Sequence, residues 1–148
     1  MRDLLNNIQV KRAISPVTQT NSDTALVSQI IDRQGYDTLT FLIATGTLSD
    51  ADATFAVTMD ESDDSGLSGS NSVATADLIS QTSGTAALTA AGFTFAGDDN
   101  VRSIGYIGGK RYVRLTITPT GNNSGSAPLC AIAVLGNPSL RPVTHATA

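Results

Sequence analysis

The chain has 148 residues, a length typical of one domain with its own hydrophobic core. Its net charge of −4 comes from 13 acidic and 9 basic residues, and the basic residues form no stripe that could neutralise phosphates, which argues against a nucleic-acid partner. About a quarter of the residues are Ser or Thr and only 5% are aromatic, a composition that favours strands and turns over helices.

Neither a membrane span nor a signal peptide is indicated. The longest apolar runs, such as residues 41–44, are far too short to cross a bilayer, and residues 1–7 turn polar before a signal-peptide core could form. We therefore expect a protein that is made in a cytoplasm and has no membrane partner. The single Cys130 cannot form an internal disulfide, and within an apolar run it is expected to be a small buried hydrophobe.

The first predicted element is the N-terminal segment, residues 1–10. It presents Leu4, Leu5 and Ile8 close to the chain end, where little else is available to pack against. Because termini stay disordered unless something ties them down, we take these three side chains as candidate protein-interface residues. Two interpretations remain open: a first strand in the core of the domain, or an arm that adds to a neighbouring subunit.

Three later segments alternate apolar residues with Thr, the period-two pattern of strands with one buried face. They span 36–45, 53–60 and 111–118, and the first two are expected to pair antiparallel through the connection 46–52. The predicted core residues on their inner faces are Leu39, Phe41, Ile43, Phe55, Val57, Met59, Val113, Leu115 and Ile117.

Segment 129–135 is apolar on both faces, which places it in the middle of a sheet or against a second layer. Weaker strand signals lie at 8–14, 24–31, 73–79, 93–95 and 101–107. About eight or nine antiparallel strands predict an all-β fold, a jelly-roll-like β-sandwich. We expect one domain over 1–148 with a flexible C-terminal tail at 137–148.

No catalytic constellation is visible in the sequence. The one His, His145, is the fourth residue from the C-terminal end, and one His with one Cys cannot supply a zinc site of the usual kind. The acidic stretch 60–66 is predicted to be a solvated hairpin loop, with a bound hard cation as the alternative. A helix-flanked calcium loop would need Gly where Ser65 stands and Glu where Asn71 stands. We therefore expect a non-enzymatic protein without a cofactor.

Four segments carry a family resemblance: IDRQGYDTLTF at 31–41, DATF at 52–55, KRYVRL at 110–115 and AVLGNP at 133–138. Together they resemble the small structural proteins that tailed bacteriophages and gene transfer agents encode among their head genes. Within that group the chain is most similar to capsid decoration (cement) proteins. The resemblance implies a homotrimer located on the virion, which stabilises the outside of the shell by bridging major capsid protein subunits.

Two other functions remain open at this stage. A head-to-tail connector or tail structural subunit would form rings. A carbohydrate-binding module would bind glycans on aromatic platforms, and this sequence offers three Tyr, four Phe and no Trp for that purpose.

Overall fold

A computed structural model describes residues 3–145. Within them the chain forms eleven strands, two 3-10 turns and one helix of five residues. The 3-10 turns span Leu5–Asn7 and Thr75–Asp77, and α1 spans Ala87–Ala91. The strands are β1 (Ile8–Thr20), β2 (Leu26–Val27), β3 (Ile31–Asp32), β4 (Tyr36–Thr45), β5 (Thr54–Ser62), β6 (Asn71–Ser72), β7 (Leu78–Ser80), β8 (Phe93–Thr94), β9 (Val101–Tyr106), β10 (Tyr112–Thr120) and β11 (Ser126–Pro138).

The strands build two antiparallel sheets. Sheet 1 has the order β1-β11-β4-β9-β7, and sheet 2 has the order β2-β10-β5-β6, with β3 also paired to β10 and β8 to β5. Along the chain from β1 to β5 the strands alternate between the sheets: β1 lies in sheet 1, the short β2 and β3 in sheet 2, β4 in sheet 1 and β5 in sheet 2. This alternation is that of a jelly roll, so the predicted all-β sandwich is confirmed.

The core lies between the two sheets and is built from the side chains on their inner faces. All nine predicted core residues are buried, with exposed fractions of 0–4%. Tyr106 and Ile104 of β9 join them, and the rings of Phe55 and Phe93 stack at 4.6 Å between centroids. Alternation of apolar and polar residues therefore identified the inner faces correctly, because side chains along a strand point to opposite sides.

The predicted pairing of segments 36–45 and 53–60 is wrong. Segment 36–45 is β4, which pairs with β11 and β9, whereas β5 pairs with β10. The connection 46–53 crosses from one sheet to the other instead of forming a hairpin. Two strands that follow one another in a jelly roll often face each other across the core, so closeness in sequence did not indicate pairing here.

The strand count of eight or nine is also corrected, to eleven. Predicted strand 24–31 is divided into the two-residue strands β2 and β3, and predicted strand 73–79 begins as a 3-10 turn before β7. Short α1 was not predicted, since five residues are too few for a helical period. No helix within residues 3–145 has the length and hydropathy needed to span a membrane.

Candidate functional site

The predicted interface residues lie at the start of β1. Leu4 and Leu5 are 61% and 64% exposed, and Leu5 opens the 3-10 turn that leads into the strand. Ile8 is the first residue of β1 and is half-buried opposite Gly136 of β11. Residues 8–10 of the predicted arm therefore belong to sheet 1, and the arm interpretation is confined to residues before Ile8. Residues 1–2 of that arm lie outside the described residues.

Part of the predicted C-terminal tail, residues 137–145, is described by the structure. Residues 137–138 complete β11, and Val143 is buried, with its N–H donating to the carbonyl of Asn6 at 3.0 Å. His145 Nε2 lies 2.9 Å from the carbonyl oxygen of Leu5. The chain after β11 thus packs beside the N-terminal turn, because Val143 supplies an apolar side chain for the domain to bury. Residues 146–148 of the tail lie outside the described residues.

The outer face of sheet 1 is the largest apolar surface that the register defines. Residues paired directly across antiparallel strands share a face, so the pairs of Val10 with Val134, Ile132 with Leu42 and Val101 with Ala44 project outward together. We call this surface the apolar face; its apolar members are Ile8, Val10, Leu42, Ala44, Ile79, Val101, Cys130, Ile132 and Val134.

Several of these side chains are open to solvent. Val101 is 61% exposed, Ile79 52%, Val10 46% and Ile132 38%. Among the residues that the register pairs on this face between β1 and β9, Arg12 is the only charged one. Monomeric proteins rarely leave contiguous apolar patches of this kind uncovered, and such patches mark sites of protein interaction.

A groove crosses the apolar face beside β1. Arg12 lies opposite Ile132 and Val17 lies opposite Leu129, so five steps along β1 match three along β11. The extra residues form bulges that separate the two strands locally. Two shallow depressions of about 390 and 260 Å³ lie along this stretch, and Pro16 borders both. We call the combined depression the β1 groove.

The lone cysteine lies in this groove. Cys130 borders both depressions and is half-buried, which corrects the prediction of a buried thiol. Segment 129–135 does form a central strand, since β11 lies between β1 and β4. Its outer side chains remain uncovered by any element in residues 3–145, as the 38% exposure of Ile132 shows. The apolar residues on both faces of segment 129–135 could therefore have indicated the apolar face from the sequence alone.

The outer face of sheet 2 has the opposite character. Thr116 pairs with Thr58, Thr120 with Thr54, and Arg114 forms an ion pair of 3.1 Å with Asp60. We call this surface the threonine face. Val27 of β2 is its exposed apolar side chain, at 53%. The two outer faces thus differ sharply in polarity, so substitutions on the threonine face can serve as controls for substitutions on the apolar face.

The carboxylates of the acidic stretch 60–66 do not converge. Each has a separate partner: Asp60 pairs with Arg114, Glu61 accepts from Tyr106, Asp63 pairs with Lys110, and Asp64 accepts the backbone N–H groups of Gly66 and Ser68. Within residues 3–145, no group of three or more His, Cys, Asp or Glu side chains is arranged to hold a metal ion. Asp60 and Glu61 belong to β5, and the hydrogen bonds to Asp64 fold the loop that follows, in which Leu67 is buried.

The Tyr106 hydroxyl is the centre of a buried polar network. It donates to Glu61 Oε2 at 2.5 Å and accepts the backbone N–H of Lys110 at 3.0 Å. The Arg33 guanidinium lies 4.8 Å from the Tyr106 ring centroid. Burial, followed by the hydrogen bond to Glu61, raises the pKa of Tyr106 to about 12. Gly108 packs against this ring, so a Cβ there would lie 2.5 Å from the hydroxyl oxygen.

Two segments of the family resemblance meet at this end of the sandwich. Arg111 pairs with Asp32 through two hydrogen bonds, and the Arg33 N–H donates to the carbonyl of Arg111 at 3.0 Å. The guanidinium of Arg111 holds the pKa of the Asp32 carboxyl below its usual range. These charged side chains therefore join β3 to the loop before β10. Their contacts stabilise the fold and leave the apolar face as the candidate functional site.

No protein-family model matches the chain, and no curated protein does. Among solved structures, the PBSX exported protein XepA is similar at 12% identity and a TM-score of 0.54, with all of this chain aligned to 43% of that chain. The chain thus spans less than half the length of XepA, and at this identity the likeness shows the fold alone.

Two carbohydrate-active enzymes align less well. A family two carbohydrate esterase from Cellvibrio japonicus is 13% identical, with a TM-score of 0.42 over 94% of this chain and 33% of that chain. The CBM22-1–GH10 modules of Clostridium thermocellum xylanase 10B are 11% identical, with a TM-score of 0.41 over 97% and 28%. At these scores neither supports an inference about this chain.

Proposed function

We propose that this protein is a virion structural protein that binds the outside of a phage capsid as a decoration protein and bridges major capsid subunits. The observation that carries this proposal is the apolar face of sheet 1. It is a surface of several strands with exposed Ile79 and Val101 at one side, and no element in residues 3–145 covers it. Binding to another protein would bury such a surface.

The energetics favour a protein partner. Burying apolar area contributes about 25 cal/mol per Å², and a surface with a single charge imposes little desolvation cost on binding. Arg12 is that single charge among the paired residues of the face. The resemblance of segments 31–41, 52–55, 110–115 and 133–138 to phage head proteins supplies the choice of the capsid as partner. The PBSX exported protein XepA has a similar sandwich fold.

The carbohydrate-binding alternative has less support in the geometry. Sugar recognition by a sandwich needs aromatic rings that lie flat and open to solvent. Four of the seven aromatic side chains, namely Phe41, Phe55, Phe93 and Tyr106, are in the core. Tyr112 is covered by Arg111, whose guanidinium lies 4.9 Å from the ring centroid.

Binding to capsids tests the proposal, with particles of the phage that encodes the chain, purified without it, as the probe. The double change Ile79→Glu and Val101→Glu places two charges on the apolar face, and it should weaken co-sedimentation with capsids by about 100-fold or more. Val27→Glu is the matched control, because Val27 is similarly exposed on the threonine face. It should bind like the wild type.

Three outcomes would overturn the proposal. The wild-type chain could fail to bind capsids, the control could lose binding while the double variant keeps it, or negative-stain images could show rings bound at the capsid vertex to which a tail attaches. The last result would support the connector alternative. Because the substituted side chains are exposed, far-ultraviolet circular dichroism should show the same β-rich spectrum for all variants.

A further inference from the structure

We propose that the β1 groove of one copy binds the N-terminal turn of a second copy, with Leu4 and Leu5 in the groove and Asp3 facing Arg12. The inference rests on the proposed function, because it assigns a second copy of this chain to one part of the apolar face. The capsid contact then belongs to the other side of that face, around Ile79 and Val101.

The β1 groove is an uncovered apolar depression. Arg12 is the one charged residue in its lining, which otherwise includes Val10, Pro16, Cys130 and Ile132. Val10 is 46% exposed at this site, so the groove is open to an incoming side chain. An apolar side chain that fills it removes apolar surface from water on both partners.

The N-terminal turn has the matching shape and chemistry. Leu4 and Leu5 are consecutive and more than half exposed, and they project from a short turn rather than from the sheet. The turn is ordered by hydrogen bonds from Asn6 and Asn7 to Asp3. A preorganised turn with two exposed leucines loses little conformational entropy when it binds.

The charges select a second copy over an unrelated partner. Asp3 and Arg12 have no oppositely charged partner within residues 3–145, where the three ion pairs join other residues. The Asp3 carboxylate accepts hydrogen bonds from the backbone and side-chain N–H groups of the neighbouring Asn6, which carry no charge. When the turn of one copy enters the groove of another, the Asp3 carboxylate meets the Arg12 guanidinium, and each group gains an oppositely charged neighbour.

The geometry makes the contact intermolecular. The turn precedes Ile8, whereas the groove is lined by residues of β1 from Val10 to Thr18, with Pro16 bordering both of its depressions. The turn is held beside the C-terminal segment by the hydrogen bond from the Val143 N–H to the carbonyl of Asn6, and Pro16 lies eight residues beyond Ile8, up to about 26 Å at 3.3 Å per residue, so we assign the contact to two different copies. Each copy therefore offers one turn and one groove, and such paired sites are satisfied in a closed symmetric oligomer.

A charge exchange tests the inference, with self-association of the full chain measured by sedimentation velocity over a dilution series. Asp3→Arg and Arg12→Asp should each weaken self-association about five- to tenfold. An equimolar mixture of the two variants should recover it, because each variant then offers the other a complementary turn and groove. Asp52→Arg, at an exposed turn far from both sites in the sequence, is the matched charge control and should behave like the wild type.

A second pair of variants tests the leucines. Changing both Leu4 and Leu5 to Ser should raise the dissociation constant about 100-fold, whereas Leu140→Ser, which alters a leucine that is 82% exposed, should leave it unchanged. A wild-type chain that stays monomeric at high micromolar concentration would overturn the inference, and so would a mixture that associates no better than either variant alone. A wild-type chain that self-associates but does not bind capsids would contradict only the proposed function.

Discussion

Arg111 and Asp32 form a two-point ion pair, with Nε to Oδ1 at 2.9 Å and Nη2 to Oδ2 at 2.8 Å. The pair joins β3 to the start of β10, and the Arg111 guanidinium also lies over the Tyr112 ring. Parallel hydrogen bonds of this kind fix the orientation of both side chains. The two segments that carry the family resemblance here, 31–41 and 110–115, are therefore partners in one structural contact.

Asp32→Asn should lower the free energy of unfolding at neutral pH by about 1 kcal/mol, a modest value because solvent screens this partly exposed pair. The folded-state pKa of Asp32 is lowered, first by Arg111, so its contribution is present above the unfolded pKa and is lost as the pH falls through the folded pKa. Urea titrations at several acidic pH values should show the wild type converging on the variant. A constant difference down to the lowest pH would contradict the assignment.

Tyr106→Phe should destabilise the domain by about 1.5–3 kcal/mol at neutral pH, since it removes a buried hydrogen bond to a charged group. The folded pKa of Tyr106 is about 12, above the ordinary value of 10. The wild type should therefore lose stability between pH 10 and 12 relative to the variant, by about 1.4 kcal/mol per pH unit, because only the unfolded chain releases the proton there. Equal alkaline slopes for the two proteins would show that Tyr106 ionises freely.

Phe41→Ala should cost about 3–5 kcal/mol, because Phe41 is fully buried in the centre of sheet 1. Phe95→Ala is the control, since that ring is 39% exposed after β8, and its effect should be much smaller. Chemical denaturation measures both values. Similar losses for the two variants would mean that the core does not lie where the inner faces place it.

The inner faces could be predicted from the sequence because alternation of apolar residues with Thr is a local signal. Leu39, Phe41 and Ile43 on β4 are an example, and all are buried. Pairing partners could not be predicted in the same way. The partners of β4 are β11 and β9, which follow it by more than fifty residues, and no local pattern encodes that choice.

The candidate site was visible only in part. Leu4 and Leu5 were identified because apolar residues at a chain end need a cover, and both are exposed. The β1 groove arises from bulges between Arg12 and Val17, which depend on the register with β11 and leave no signature in β1 alone. The apolar run 129–135 did indicate apolar side chains on both faces of its strand. That the outer ones are exposed to solvent could be recognised only once the sheet order was known.

A shortened chain that begins at Ile8 tests whether the N-terminal segment stabilises the domain or mediates self-association. Its melting temperature should fall by less than about 4 °C, because the missing leucines are exposed and the turn is held only by contacts such as the one from Val143 to Asn6. Self-association should be lost at concentrations where the full chain associates. A shortened chain that melts much earlier and still associates fully would refute the arm.

The most direct test of the central claim, that the apolar face of sheet 1 is a protein-binding surface, is a cryo-electron microscopy density map of the decorated phage particle. In such a map Ile79 and Val101 should contact the capsid shell, and the threonine face, marked by Val27, should point to solvent. A map in which the threonine face contacts the shell while the apolar face stays open to solvent would contradict it.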